Sequence, residues 1–377
     1  MKERKFELHL PGLLKVLAEH LYSSKKVGIR ELIQNAHDSC MRRRLEEKDP
    51  DYQPRITLSM QPRQRTVTIA DNGSGMTEDE IVSYLATIGR GYTREMRERL
   101  ASACDDDDAQ LIGQFGLGFL SAFLLAEEVK VLTRSYRGGP GWQWQARGDE
   151  HYELTEAKKA AVGTSVWLRV KPAASFILQK QNLLDAVRGF ADFLPVPIHW
   201  QEDAEPLNLC EFPWESDDPD EATRQFIRRV FQEKDPLLVL PLREGKFRLD
   251  HDAIRVPMNG FLFVPSNSVA SVREYGDMRV YIRRMLISER QQELLPPWAR
   301  FVQGVIDSPV LQPTASREDV HQDDRFEMVQ QAVEEQLSAG LKQFARRDPA
   351  AWKHLVRCHS DLIVGWAIKD ADFFDQV

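Results

Sequence analysis

Cysteine is scarce. The 377 residues contain four, Cys40, Cys104, Cys210 and Cys358, far apart and with no C-x-x-C pair. That excludes a disulfide framework and a zinc site built on paired cysteines, and it reads as reduced thiols in a cytoplasmic protein. Long apolar runs are missing as well. The longest, Phe119 to Ala126, is interrupted by Ser121 and is far short of the roughly 18–20 residues that a membrane-spanning helix needs. The opening MKERKFELHL has charge but no apolar core or small-residue cleavage site, so no secretory signal is expected. An excess of positive charge is also lacking. Lys and Arg total 50 against 58 Asp and Glu, a net charge of −8, which argues against a broad basic surface for nucleic acid. No internal repeat or long low-complexity tract occurs. With 42% hydrophobic and 29% charged residues the chain has the balance of a folded globular protein, which excludes bulk disorder.

The length suggests two or three domains at roughly 150 residues each. Leu10, Leu14, Leu17 and Leu21 have helical spacing, and a second helix is expected over 27–47, with Ile29, Ile33, Ala36 and Cys40 on one side and Asp49-Pro50 closing it. Arg55–Met60 and Arg65–Ala70 read as strands, and Thr77 with Glu80 forms a capping box that opens a helix through Ile88. The polar stretch 89–112, with its acidic run Asp105–Asp108, is expected to be a mobile loop or lid. LSAFLLAEEV reads as a helix, and strands are expected at Val129–Tyr136, around Trp142–Ala146 and at Thr164–Val170. Helices alternating with hairpin-like strand pairs point to an α+β class, with a mixed, mostly antiparallel sheet covered by helices on one face. The segment 201–222 is rich in proline and acidic residues and is expected to carry the domain boundary. Beyond it, Phe261–Val264 and Met278–Ile282 read as strands, PPWARFVQGVI as a helix, and the chain from Asp323 as helical.

Four elements carry the chemistry. Glu31, Asn35 and Asp38 stand at i, i+4 and i+7 of the second helix and share one face. Alone, such a stripe is more often a solvated face. Its functional reading is a carboxylate beside a reacting water and an amide oxygen able to ligate Mg²⁺. Asp71-Asn72-Gly73-Ser74-Gly75-Met76 follows a strand. Alone it is a turn, but a buried Asp71 there can accept from the exocyclic amine of adenine, with glycines letting the base lie against bare backbone. Gly113-Gln114-Phe115-Gly116-Leu117-Gly118-Phe119 precedes a helix, where free N–H groups suit phosphate. Its spacing is neither the Walker A loop nor the dinucleotide fingerprint. Gly163-Thr164 leads a strand.

In this order the four resemble the nucleotide-binding motifs of the ATPase superfamily shared by gyrase B, MutL, histidine kinases and heat shock protein 90 chaperones. They stand here as RELIQNAHDS, DNGSGMT, IGQFGLGF and GTSVWL. The flanks YSSKKVGIRELIQNAHDS and LIGQFGLGFLSAFLLAEEV resemble the heat shock protein 90 family, bacterial HtpG type. VYIRRMLISERQQELLPPWARFVQGVIDSPVLQPTASRED is similar to that family's middle domain. The likeness covers about residues 5–370.

The resemblance implies a Bergerat-type (GHKL) ATPase domain over 1–205 with a lid at about 89–112. It implies a linker at 206–222 and a partial middle domain over 223–377, an α/β unit followed by helices. It implies an ATP-dependent chaperone with ATP and Mg²⁺ as cofactors, with client proteins and cochaperones as partners, and with no nucleic acid or membrane partner. Glu31 matches the general base for the attacking water, Asn35 the Mg²⁺ ligand, and Asp71 the adenine-reading carboxylate with Thr164 beside it. Gly75 and Met76 match the base-pocket wall, and Gly113, Gln114, Phe115, Gly116, Leu117, Gly118 and Phe119 the phosphate loop. Asp38 matches a further site position, and Arg317 the middle-domain arginine that reaches the γ-phosphate. The chain departs from the family pattern at Thr314, where asparagine is usual, and at His321, where glutamine is usual. Tyr84 replaces a lid asparagine, and Arg90 stands where the lid lysine is expected. The family's homodimerisation part is not matched in this chain. Two other readings compete: a nucleotide-binding scaffold with little hydrolysis, and a DNA-repair or topoisomerase-type module of the same superfamily.

Overall fold

The computed structural model describes residues 26–85, 118–149, 151–249, 252–266, 276–314 and 316–360, with the isolated positions His9, Gly12, Ile363, Ala367 and Ile368. The chain divides into two compact units, Met1–Cys210 and Glu211–Val377.

In the first unit helix α1 spans Val27–Glu47 and ends at Lys48, whose φ of 51° turns the chain away ahead of Asp49-Pro50. It runs along β1 (Ile56–Gln61) and β2 (Thr66–Asp71) and packs against α4 (Lys180–Ala191). The expected apolar side, Ile29, Ile33, Ala36 and Cys40, is buried. The helix is not half solvated, however. Arg30, Gln34 and His37 are buried too, and the Arg30 guanidinium lies 5.5 Å above the Phe190 ring of α4. Helix α2 (Glu78–Tyr84) starts at the Thr77–Glu80 capping box. Its expected continuation to Ile88 lies outside the described residues beyond Leu85.

The strands are completed by β3 (Ala126–Arg134), β4 (Gly141–Ala146), β5 (Tyr152–Ala157), β6 (Gly163–Val170) and β7 (Ile198–Trp200). Their order is β5-β4-β3-β6-β2-β1-β7, antiparallel except for the parallel pair β1–β7. Alternation along β3 and β6 places Val129, Val131 and Thr133 opposite Leu168, Val166 and Thr164. The other face carries Trp167, with Lys130 and Arg169 over its ring. This is the mixed, mostly antiparallel sheet of an α+β fold, with helices on one face.

LSAFLLAEEV is not one helix. A 3₁₀ turn at Gly118–Ser121 and the single turn α3 (Ala122–Leu125) give way to β3 at Ala126. From there the backbone pairs with β6, and the branched Val129, Val131 and Thr133 fit the ladder better than a helix. Strands β5 and β7 have no counterpart in the sequence reading. β5 is an edge strand with a mostly exposed pattern, and β7 is three residues long.

The second unit holds α5 (Pro219–Phe226), β8 (Leu238–Leu242), β9 (Gly245–Leu249), β10 (Asp252–Val256), β11 (Asn259–Val264), β12 (Met278–Ile282), β13 (Met285–Ser288), β14 (Gln303–Asp307), α6 (Asp324–Arg347) and α7 (Pro349–Cys358). Five strands form a sheet in the order β13-β12-β14-β11-β8, with β12 and β14 parallel, and β9 and β10 make a separate pair. The helix expected over PPWARFVQGVI is absent. Turns lead into β14, which is paired on both edges by β11 and β12. Its Val305 and Ile306 are buried, and a short apolar run has the same appearance in a central strand and in a buried helix. Helix α6 is capped by Asp323, which accepts from the N–H groups of Arg325 and Phe326. It buries Phe326, Val329, Val333, Leu337 and Leu341. Asp348 then caps α7 with Pro349 at its first position, which breaks the helical C-terminal stretch in two. Among the described residues no helix is long and apolar enough to cross a membrane.

Candidate functional site

Helix α1 places Glu31, Asn35, Asp38 and Ser39 on one face, at i, i+4, i+7 and i+8. Glu31 is buried, and its Oε1 lies 3.2 Å from the Arg30 guanidinium. Gly118 comes up against it. A Cβ there would fall 2.5 Å from Glu31 Oε2, so a side chain at this position would displace the carboxylate. Asp38 is buried, with Oδ1 3.2 Å from Nδ1 of His37. Asn35 is exposed and makes no side-chain hydrogen bond among the described residues, so its amide oxygen is open to a ligand.

Asp71 ends β2 two helical turns further along. Its Oδ1 accepts from the Gly73 N–H at 2.8 Å and from the Ser39 hydroxyl at 2.9 Å. Burial pushes its pKa up to about 6, while the bonds from Gly73, Ser39 and the Thr164 backbone hold it down. Thr164 faces Asp71 across the β2–β6 ladder, and its hydroxyl lies 3.0 Å from that of Thr133. Thr133 Oγ1 also accepts from the Met76 N–H at 2.9 Å, which fixes the turn after Asp71. Gly75 has φ of 59°, and a Cβ there would overlap the Arg134 carbonyl, so this turn tolerates no side chain. Asn72 serves the fold. Its amide accepts from the Arg55 N–H at 2.7 Å and donates to the Gln53 carbonyl at 2.7 Å.

The structure therefore brings Glu31, Asn35, Asp38, Asp71, Gly75, Met76, Gly118 and Thr164 to one helix face and the adjoining sheet end. Phe119 packs edge-on against Trp144, ring centroids 5.4 Å apart. Arg90, Gly113, Gln114, Phe115, Gly116, Leu117 and the stretch 89–112 lie outside the described residues. Arg317 belongs to the second unit. It is buried, with φ of 54°, in a loop closed by the Pro313–Val320 bridge, and its N–H donates to Thr314 O at 2.9 Å. Thr314 bonds to Ser316, its Oγ1 3.1 Å from Ser316 Oγ. The sequence reading missed two members of the site. Ser39 was within reach, since it follows Asn35 by four. Thr133 was not, since its place depends on the β3–β6 register.

Glu31 with Gly118 and Ser39 with Asp71 are separated by eight residues, about 12 Å of helix rise. One end offers a carboxylate beside Gly118, and the other a half-buried acceptor bonded by the backbone of Gly73 and Thr164. Residues 22–161 match the family model for the histidine kinase-, DNA gyrase B- and HSP90-like ATPase, and residues 240–357 match that for the Hsp90 protein. The chain belongs to the heat shock protein 90 family. It is 33% identical over 334 residues to the chaperone protein HtpG of Paramagnetospirillum magneticum, covering 84% of this chain and 52% of that protein. It is 32% identical over 368 residues to HtpG of Rhodospirillum rubrum, covering 92% and 57%. It is 28% identical over 366 residues to HtpG of Desulfitobacterium hafniense, covering 94% and 58%. The chain spans about half the length of these curated relatives of the heat shock protein 90 family.

Proposed function

We propose that this chain is an ATP-dependent molecular chaperone that binds and hydrolyses ATP. The observation that carries this is the pairing of two unlike ends on one face of α1. Asp71 has the acceptor chemistry for the exocyclic amine of adenine, and Glu31 beside Gly118 has that of a base near phosphate. The domain containing the site is taken as 1–205, with 89–112 closing over the nucleotide, followed by a linker at 206–222 and a middle domain from 223. Asp38, Thr164, Gly75 and Met76 complete the pocket. Arg90 and the loop Gly113–Phe119 contact the phosphates, and Arg317 supplies a cation to charge developing there.

Mg²⁺ fits the residues present. No cluster of three or more His, Cys, Asp or Glu among the described residues could cage a metal, and Asn35 offers one open amide oxygen. That is the donor set for an ion carried mainly by nucleotide phosphates, which it would neutralise. Glu31 orients and deprotonates water. Nucleotide state then sets the shape that client proteins meet, with cochaperones, a homodimer, a stress response and the cytoplasm as its setting. The test is turnover of Mg-ATP. Glu31→Ala should retain nucleotide affinity and lose turnover by roughly the 10²–10⁴ of a general base. Unchanged turnover would sink the assignment.

A further inference from the structure

We propose that Ser39 is a further positioning residue of the nucleotide site, its hydroxyl keeping the Asp71 carboxylate ionised and oriented to read the base. This deepens the reading of Asp71 as the adenine acceptor and rests on it. Ser39 Oγ donates to Asp71 Oδ1 at 2.9 Å, and the Gly73 N–H donates to the same oxygen at 2.8 Å. The Thr164 backbone also bonds the carboxylate, and with about four lone-pair sites on its two oxygens the group keeps acceptor capacity for a ligand. The Ser39 and Gly73 donors come from different elements, helix α1 and the turn after β2, and together they fix the carboxylate plane.

The backbone N–H of Thr164 also favours the ionised form, and the other side chains around Asp71 do little of this work. Cys40 on α1 and Tyr52 in the loop after it are held neutral, their pKa values pushed up by burial. Lys159, in the loop between β5 and β6, is a cation whose charge favours the ionised carboxylate, though its own burial draws its pKa down. Its amine lies 3.5 Å from Ser165 Oγ. The neighbouring residue Thr164 pairs with Asp71, so Ser165 and the Lys159 amine belong to the opposite face of the sheet. Ser39 is thus a side-chain donor that reaches Asp71 from the site's own face.

Ser39→Ala is a mild change in a helix. Two measurements on the whole chain test the proposal: the ¹³C titration of the Asp71 carboxyl without nucleotide, and ADP affinity between pH 6 and 8.5. Losing a hydrogen bond to a charged group should raise the Asp71 midpoint by about one pH unit. ADP affinity should then fall about threefold at pH 6.5 and stay close to wild type at pH 8.5. An unchanged Asp71 titration overturns the proposal, as does an equal loss of affinity at every pH. If the wild-type chain binds no ADP at any pH, the adenine reading of Asp71 fails. The carboxyl titration, which needs no nucleotide, still decides the coupling to Ser39.

Discussion

Each unit ends a strand on a half-buried aspartate, and the two stand in different surroundings. Asp71 closes β2 and Asp307 closes β14. Burial raises both, Asp71 to about 6 and Asp307 to about 7, and in both cases backbone N–H groups oppose the rise. The surroundings differ. Asp307 lies against the turn Arg283-Arg284, where both residues have positive φ, 52° and 68°, and it accepts from the Arg284 N–H at 3.4 Å. The Arg284 guanidinium is paired with Glu215 and lies over the Phe212 ring at 5.1 Å. That carboxylate braces a strained hairpin, and its neighbourhood is filled with side chains. Asp71 is bordered by Gly73, Gly75 and Gly163, and its nearest side-chain donor is the small Ser39. Burial and a raised pKa therefore do not by themselves mark a site. What sets Asp71 apart is the bare backbone packed around it: a Cβ on Gly73 would meet the Ser39 backbone, one on Gly75 the Arg134 carbonyl, and one on Gly163 the Asp71 carbonyl.

The largest expected break in this comparison comes from Asp71→Asn. Nucleotide affinity should fall by at least about 100-fold, since an acceptor facing an amine becomes in part a donor. The fold should become more stable at the same time. An acid raised on folding holds its proton more tightly in the folded state, so its contribution is present at low pH and is lost as pH rises from 3.8 through about 6. Removing the charge should raise the melting temperature above pH 6 and leave it nearly unchanged below pH 4, which a pH series of thermal melts would read. A variant that binds ADP normally by calorimetry would remove Asp71 from the site.

Gly75→Ala tests the bare backbone directly. At φ of 59° and against the Arg134 carbonyl, an added methyl should destabilise the first unit by about 1–3 kcal/mol and weaken ADP binding in step. Denaturant titration with wild-type stability would show that the turn has room.

Asp307→Asn is the smallest. Nucleotide affinity should stay within about twofold of wild type. Its signature is a flatter stability profile, because the wild type loses the Asp307 contribution as pH rises from 3.8 through about 7. A clear loss of ADP affinity would put the two aspartates in the same class.

Much of the site was legible in the chain. Glu31, Asn35 and Asp38 announce a shared helix face by spacing alone, and Asp71 before a glycine-rich turn announces a strand end. The capping box at Thr77 and Glu80 was readable because both halves of the motif lie within four residues. Readings failed where local and long-range signals conflict. LSAFLLAEEV has helical composition, yet pairing with β6 claims it from Ala126. PPWARFVQGVI is apolar enough for a helix, yet two neighbours make its end a central strand.

The sequence by itself determined the make-up of the candidate site: which carboxylates, which amide, which glycines, and their order along the chain. Those are local facts, set by helical period and by the steric freedom of glycine. Tertiary structure alone decided that Ser39 meets Asp71, that Thr133 meets Thr164 and Met76, and that Gly118 comes up against Glu31. Each of these joins residues far apart in the chain. No spacing rule reaches across such separations, because they are fixed by strand register and by how closely helix and sheet can pack.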